Sequence, residues 1–203
     1  MIIQTEKTLR PRNKRDFYPT PPDFVRAKLK KLVTREPFLV IDPGAGDGVW
    51  GIELRKLYPN TFLIGVENAD VPRPEGYNSW VRGSYFDPFG IVYNSPCVDL
   101  IIGNPPYSLA YEFIDKSLEI LSPGGTLVFL LRLAFMESKT RYLKYYSCGL
   151  NPKYILPSVQ RIPFIPGTSK TDDTAYAVFV WEKGFVGKTE VEWLDWKNDK
   201  NDC

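Results

Sequence analysis

Short apolar runs alternate with amphipathic stretches along most of this chain, and that alternation predicts strands separated by helices. Seven runs have the length and composition of strands: residues 38–41, 61–66, 79–81, 98–102, 126–131, 154–156 and 175–181. Helical spacing of apolar residues predicts helices at residues 23–32 and 48–58, from an N-cap at Ser108 to Leu121, and at 137–146. The pattern favours an α/β fold with a mostly parallel sheet of seven strands and helices on both faces.

The last two predicted strands are connected differently from the others. Only a loop separates residues 156 and 175, and a loop cannot form the crossover that a parallel pair requires. We therefore expect the last strand to be antiparallel. A length of 203 residues suits one domain. We expect that domain at residues 17–185, between a mobile basic arm at 1–16 and a polar C-terminal tail at 186–203.

The composition excludes several kinds of chemistry. The chain has no histidine, which excludes imidazole acid–base catalysis, histidine-containing triads and histidine metal sites. Its three cysteines, Cys97, Cys148 and Cys203, lack the spacing of metal ligands, so no metal is expected. Their odd number, and the lack of an apolar run long enough for a membrane helix or a signal peptide, favour a cytoplasmic protein without a membrane partner.

The charge is distributed unevenly although the formal net charge is only +2. Basic residues dominate residues 1–35 and 132–170, and acidic residues dominate the stretch between them. This is either ordinary solvated surface or a surface that faces phosphates. The second interpretation requires both basic segments to fold onto the edge of the sheet where the ligand binds.

The sequence Asn104-Pro105-Pro106-Tyr107 directly follows the predicted strand at residues 98–102. Two consecutive prolines stiffen the backbone and offer no N–H group. An amide oxygen and a backbone carbonyl can both accept hydrogen bonds from one amino group, and a tyrosine ring can stack on the planar system that carries it. In open α/β sheets ligands bind at this carboxyl edge of the strands. The alternative is a rigid strand-to-helix turn without a ligand.

A glycine-rich turn, Asp42-Pro43-Gly44-Ala45-Gly46-Asp47-Gly48, follows the first predicted strand. It is not a phosphate-binding P-loop, because no Gly-Lys-Ser/Thr follows. Glu67 ends the next strand, where an acid can accept hydrogen bonds from both ribose hydroxyls. Asp87 ends the third strand region and could accept from an adenine amine. The alternatives are a dinucleotide site or a simple turn for the glycines, a surface acid for Glu67 and an Asp-Pro turn for Asp87.

A third element, Phe17-Tyr18-Pro19-Thr20-Pro21-Pro22, precedes the first helix and is by itself a proline-rich lead-in. Together with the glycine turn, Glu67, Asp87 and the Asn-Pro-Pro-Tyr turn, it resembles the motifs of S-adenosylmethionine-dependent DNA N6-adenine methyltransferases, particularly small phage-type ones. The resemblance spans about residues 17–182. It implies a Rossmann-like methyltransferase fold and methyl transfer to the N6 amino group of adenine in DNA, with the base flipped out of the duplex.

The resemblance implies cofactor contacts from several short segments: Tyr18, Pro19 and Thr20; Asp42, Gly44, Ala45 and Gly46; Glu67 and Asn68; Asp87; and Asn104. The first segment would lie against the methionine part of S-adenosylmethionine, and the second would line its amino-acid end. Glu67 would bind the ribose and Asn68 would lie beside the adenine. The carboxylate of Asp87 would accept from the adenine N6.

The implied substrate contacts centre on the Asn-Pro-Pro-Tyr turn. The Asn104 amide and the Pro105 carbonyl would hold the target amine, and Pro106 would stiffen the turn. Tyr107 would stack on the flipped base, with Phe164 closing on its other face. Cations would collect near the target base: Arg132, Lys139, Arg141, Lys144, Arg161 and Lys170.

The chain departs from this family in one respect, because no inserted target-recognition region separates its motifs. Only the arm at residues 1–16 and the loop at 161–172 remain to recognise sequence. A short or relaxed site, a homodimer, a specificity partner, and a duplex or single-stranded substrate all stay open. Three further alternatives also stay open: cytosine N4 as the target in place of adenine N6, an RNA or protein-amide substrate, and a catalytically silent binding subunit. The expected setting is the cytoplasm of a bacterial or phage-infected cell.

Overall fold

A computed structural model describes residues 19–87, 97–164, 171 and 173–198. Eight strands occur within these residues: β1 (Leu39–Pro43), β2 (Phe62–Glu67), β3 (Ser79–Arg82), β4 (Val98–Gly103), β5 (Leu121–Arg132), β6 (Tyr154–Pro157), β7 (Tyr176–Glu182) and β8 (Glu190–Val191). The helices are α1 (Pro22–Leu32), α2 (Val49–Leu57), α3 (Ala110–Ile120) and α4 (Lys139–Lys144), with short 3₁₀ turns at Tyr107–Leu109, Leu133–Met136 and Tyr146–Cys148. No described helix is long and apolar enough to cross a membrane.

The eight strands form one sheet in the order β3-β2-β1-β4-β5-β7-β6-β8. β1 to β5 are mutually parallel, and β7 inserts between β5 and β6 and runs antiparallel to both. The predicted mostly parallel sheet and antiparallel last hairpin are therefore confirmed. An eighth strand, β8, pairs with β6 in parallel, so strand pairing continues beyond residue 185.

Three local predictions were wrong in detail. α3 begins at Ala110 after a 3₁₀ turn, and its N-cap is Leu109, so Ser108 does not cap it. β5 begins at Leu121, because the residues expected to end the helix already lie in the strand, with a register shift opposite β4. α4 is shorter than predicted at both ends. It begins at Lys139, because Ser138 caps it by accepting a hydrogen bond from the Arg141 N–H, and it ends at Lys144.

Both faces of the sheet are covered by helices. Phe24 and Leu29 of α1 and Trp50 of α2 pack on one face. Phe113 and Ile114 of α3 pack on the other. α1 has favourable ends, because Pro22 stands in the first turn with Asp23, and two lysines stand in the last turn.

The topology brings the sequence motifs to one edge of the sheet. β1, β2 and β4 end at Pro43, Glu67 and Gly103, which lie in register with their neighbours. Arg132 ends β5 and pairs with Tyr176 at the start of β7. The glycine turn, the Asn-Pro-Pro-Tyr turn and the loop after β6 therefore share the carboxyl edge.

Tyr77, just before β3, is buried beneath this edge between α2 and β2. A Cβ atom at Gly51 would lie 2.3 Å from its ring, and one at Gly65 would lie 2.9 Å from it. Trp80 contacts the ring edge-on at a centroid distance of 5.1 Å. The glycines thus make room for an aromatic ring that supports the glycine turn from below.

We expect Gly51→Ala to destabilise the protein by about 1–3 kcal/mol through overpacking against Tyr77. At an exposed helical position the same substitution would stabilise the protein, because alanine in a helix is more favourable than glycine by about 0.5–1 kcal/mol. Denaturant unfolding measures the effect, and Tyr77→Ala is the background that removes the clash with Tyr77 and leaves the 2.7 Å approach to Leu63 Cδ2. If Gly51→Ala costs as much in that background, contact with Tyr77 is not the cause.

Candidate active site

Glu67 connects the glycine turn with the segment that follows β2. Its Oε2 accepts a hydrogen bond from the Gly46 N–H at 2.8 Å, and its Oε1 accepts from the Ala69 N–H at 2.7 Å. Gly44 and Gly46 have φ values of +66° and +57°, a conformation that favours glycine. A carboxylate has about four acceptor positions, so Glu67 can also accept hydrogen bonds from a ligand.

A cleft of about 170 Å³ lies between the glycine turn and the end of β4. The predicted cofactor residues that line it are Pro19, Thr20, Gly44, Ala45, Gly46, Glu67, Asn68 and Asn104. Pro106 lines it as well, whereas Asp42 lies buried beneath the turn and Asp87 is exposed outside it. Tyr18 lies outside the described residues. The volume is below the ~300–1,000 Å³ of pockets for drug-sized ligands, so a nucleoside cofactor would extend through the open mouth of the cleft.

The sequence motifs did not include the aromatic wall of the cleft. Tyr85 and Phe86 follow β3, and Phe113 belongs to α3. Tyr85 stacks on Phe113 at a centroid distance of 5.1 Å, and Phe86 meets Phe113 edge-on at 5.1 Å. The signal available in the sequence was the adjacent aromatic pair at the end of the third strand region. An apolar wall of this kind suits one face of a planar ring.

Thr20 links two residues that are far apart in sequence. Its Oγ1 accepts hydrogen bonds from Trp50 Nε1 and from Asn104 Nδ2, each at 3.3 Å. Thr20 is buried, and all three residues line the cleft. Because Nδ2 of Asn104 donates to Thr20, the amide is held in one orientation, with Oδ1 as its acceptor.

Tyr107 belongs to an aromatic group at the same edge. Its ring lies 5.6 Å from that of Tyr176, which contacts Phe164 edge-on at 4.8 Å. The Arg132 guanidinium lies over the Tyr107 ring, with Cζ 5.0 Å from the centroid. The structure thus brings together Tyr107, Phe164 and Arg132, although Phe164 is buried rather than exposed towards a ligand.

The remaining predicted cations differ in their surroundings. Arg141 donates hydrogen bonds to the carbonyl oxygens of Ala134, Phe135 and Glu137, and Lys144 forms an ion pair with Asp115. Lys139 and Arg161 are exposed, and Lys170 lies outside the described residues. Two of the predicted substrate cations therefore hold local structure. The described residues contain no cluster of histidine, cysteine, aspartate or glutamate that could bind a metal.

Asp42 is buried, with 1% of its surface exposed. Its Oδ2 accepts a hydrogen bond from the Tyr77 hydroxyl at 2.5 Å, and its Oδ1 has no hydrogen-bond partner within the described part of the chain. Burial raises the pKa of Asp42 to about 7, although the hydrogen bond from Tyr77 opposes the shift. The pKa of Tyr77 is also raised, by burial and by Asp42, so its hydroxyl stays a donor.

We expect Asp42 to make the protein less stable as pH rises from about 4 to about 7. In this range the unfolded state has lost the proton that the folded state still holds, so folding stability falls with pH. The free energy of unfolding of Asp42→Asn, relative to the wild type, should therefore increase between pH 5 and pH 8 in urea titrations. Asp47→Asn, at an exposed position of the same turn, is the matched control, because the Asp47 charge raises the pKa of Asp42 less than burial does. Equal pH trends in both variants would contradict burial of Asp42 as the cause.

Comparison with known proteins gives one curated relative and many solved structures. No protein-family model matches the chain. Over 143 residues it is 30% identical to the type II methyltransferase M.CvrRI of Paramecium bursaria Chlorella virus XZ-6E. The aligned region covers 59% of this chain and 37% of that protein. The chain thus spans little more than a third of the length of this relative.

Two solved structures illustrate the likeness. A Listeria monocytogenes protein described as a class I S-adenosylmethionine-dependent methyltransferase superposes with a TM-score of 0.64 at 15% identity, covering 90% of this chain and 67% of that one. A Pyrococcus horikoshii protein described as an RNA methyltransferase gives a TM-score of 0.59 at 20% identity, covering 82% and 87%. The chain therefore has the Rossmann-like α/β fold of S-adenosylmethionine-dependent methyltransferases, with an antiparallel β7 in a mixed sheet.

Proposed function

We propose that this protein transfers a methyl group from S-adenosylmethionine to the N6 amino group of adenine in DNA. The observation that carries the proposal is the position of Asn104, at the end of β4, on the wall of the cleft and with its amide oriented by Thr20. The choice of DNA is supported by the Tyr-Pro-Thr-Pro-Pro element and by the similarity to a viral type II methyltransferase.

The residues of the cleft fit S-adenosylmethionine chemically. The glycine turn allows close approach of the methionine end, and the Glu67 carboxylate retains acceptor positions for ribose hydroxyls. The wall formed by Phe86 and Phe113 suits the adenine ring. The buried carboxyl group of Asp42 lies under the turn, where a nearby ammonium group would favour its charged form.

The Asn-Pro-Pro-Tyr turn would activate the target amine without a strong base. When bound, the cofactor supplies a methyl group on a positively charged sulfur. The Asn104 Oδ1 and the Pro105 carbonyl accept the two amine hydrogens, which draws the nitrogen towards tetrahedral geometry and localises its lone pair. The nitrogen then forms the new N–C bond as the S–C bond breaks, and the electron pair of the S–C bond stays on sulfur. The excess amine proton leaves afterwards to solvent. The turn contributes positioning and electrostatic stabilisation.

Base flipping would place the target ring against Tyr107. Flipping costs a few kcal/mol, and stacking on an aromatic side chain returns about 1–3 kcal/mol. A base that stacked on the ring face under Arg132 would displace the guanidinium towards the substrate backbone. Arg132 is thus placed where a phosphate could replace its contact with the ring.

Two rival functions use the same residues. An RNA or protein-amide methyltransferase would need the same acceptors, and the fold does not discriminate, since a neighbour described as an RNA methyltransferase shares it. A silent binding subunit would keep the fold without transfer. The complete set of Gly46, Glu67, Asn104 and Tyr107 argues against the second rival.

Incubation with methyl-labelled S-adenosylmethionine and, separately, duplex DNA, single-stranded DNA, RNA and protein tests the proposal. We expect label in DNA, and nucleoside analysis should identify N6-methyladenine. N4-methylcytosine alone would overturn the base assignment, and label confined to RNA or protein would support the first rival. Cofactor binding without transfer to any of these substrates would support the silent subunit.

A double-mutant cycle tests the link between Thr20 and Asn104. Asn104→Ala should lower kcat by about 10²–10³ at saturating cofactor, as loss of one preorganised polar contact does elsewhere. Thr20→Val should lower kcat about fivefold, because one hydrogen bond is worth roughly 1 kcal/mol, and Thr20→Ser should restore it. In the Asn104→Ala background Thr20→Val should change kcat little. Additive losses would show that Thr20 does not act through Asn104.

A further inference from the structure

The loop after β6 lies at the same edge as the proposed target-base site. β6 ends at Pro157, which pairs with Ala177, one residue after the start of β7. Tyr176, which begins β7, pairs with Arg132 at the end of β5. The ring of Tyr176 also contacts Tyr107. One aromatic side chain therefore separates the Asn-Pro-Pro-Tyr turn from the start of this loop.

The start of the loop is fixed by the C-terminal segment, residues 194–198. The Val159 N–H donates to the Leu194 carbonyl at 2.9 Å, and Ser158 forms a parallel bridge with Leu194. The Ser158 hydroxyl donates to the Gln160 carbonyl at 2.6 Å. Leu194 is buried, so the contact is anchored in the core. These bonds give residues 158–160 a defined conformation.

Gln160 has an amide whose orientation is fixed from one side. Its Nε2 donates to Asp195 Oδ1, which also accepts from the Asn198 N–H. Hydrogen bonds from Gln160 and Asn198 lower the pKa of Asp195, so this carboxylate remains an acceptor. Only the NH₂ group of Gln160 can face it. The Oε1 of Gln160 is buried and has no hydrogen-bond partner among the described residues.

A cavity of about 230 Å³ lies beside Gln160 and Tyr176. Its other lining residues include Arg161, which is exposed, and Thr174. The cavity is smaller than pockets for drug-sized ligands, which suits a single planar base. A buried acceptor without a partner is unfavourable, so a donor that enters the cavity would be favoured. Arg161 at the rim offers a cation for the phosphate of the same nucleotide.

We propose that this cavity binds the base next to the methylated adenine and that Gln160 Oε1 accepts a hydrogen bond from its exocyclic amino group. This subsite rests on the proposed function. Adenine, cytosine and guanine carry such an amino group and thymine does not, so the subsite disfavours thymine at one flanking position. Asp195 acts as a positioning residue, because it holds the amide with its oxygen towards the base.

The experiment uses the full chain and a DNA library in which an adenine is flanked by randomised positions. Limited methylation followed by sequencing that detects N6-methyladenine gives the preference at each position. The wild type should disfavour thymine at one flanking position about tenfold, the effect of one unpaired buried acceptor. Gln160→Leu should abolish that discrimination. Asp195→Asn should weaken it, because an asparagine amide can donate to Oε1 and turn the Gln160 amide around.

Two controls separate the possible results. Val186→Ala, at a side chain that is 95% exposed, should keep the wild-type profile. At the discriminating position, replacing adenine by purine, which lacks the amino group, should slow the wild type and leave Gln160→Leu unchanged. The subsite alone would be overturned if Gln160→Leu methylated DNA with the same flanking-base preference as the wild type. It would also be overturned if the wild type showed no bias against thymine. Absence of any methylation of the library would overturn the proposed function and the subsite together.

Discussion

The hydrogen bond from Tyr77 to Asp42 is the interaction on which the shape of the glycine turn depends. Asp42 stands where β1 leaves the core, and its carboxyl group is almost wholly buried. The Tyr77 hydroxyl also lies 3.0 Å from the Gly48 carbonyl oxygen, so one phenol contacts both ends of the turn. Polar groups in such an apolar setting are costly when unpaired, and a paired set favours one conformation over others.

Polar contacts of two further side chains, Glu67 and Thr20, hold residues that line the cleft. Glu67 joins Gly46 to the segment after β2, and Thr20 joins α2 to the end of β4. The Thr20 hydroxyl accepts two hydrogen bonds, so its own hydrogen is the only group it can still offer to a ligand. A cofactor acceptor that took this hydrogen would polarise the same oxygen that orients Asn104. In the proposed mechanism, this one side chain would therefore couple cofactor binding to activation of the target amine.

Much of the fold was predictable, because buried parallel strands are continuously apolar and the turn residues between them are distinctive. The antiparallel β7 followed from the loop that precedes it. β8 was not predictable, since Glu190 and Val191 are exposed and form a strand only because β6 offers a free edge. The motifs indicated Asn104 and Glu67, but the Trp50–Thr20 and Gln160–Asp195 contacts join residues 30 and 35 positions apart. No local pattern encodes such pairs.

The number of cations in residues 132–170 overstates the charge available to a nucleic acid. Arg141 binds backbone carbonyls and lies over Phe135, and Lys144 binds Asp115 and lies over Tyr111. Their side chains hold α4 and its flanking turns against α3 and the end of β5. Phosphate contacts strengthen binding without recognising sequence, whereas contacts with base edges discriminate between sequences. Under the proposed function, with Arg141 and Lys144 already engaged, selectivity would therefore depend on the shape and hydrogen-bonding groups of one sheet edge.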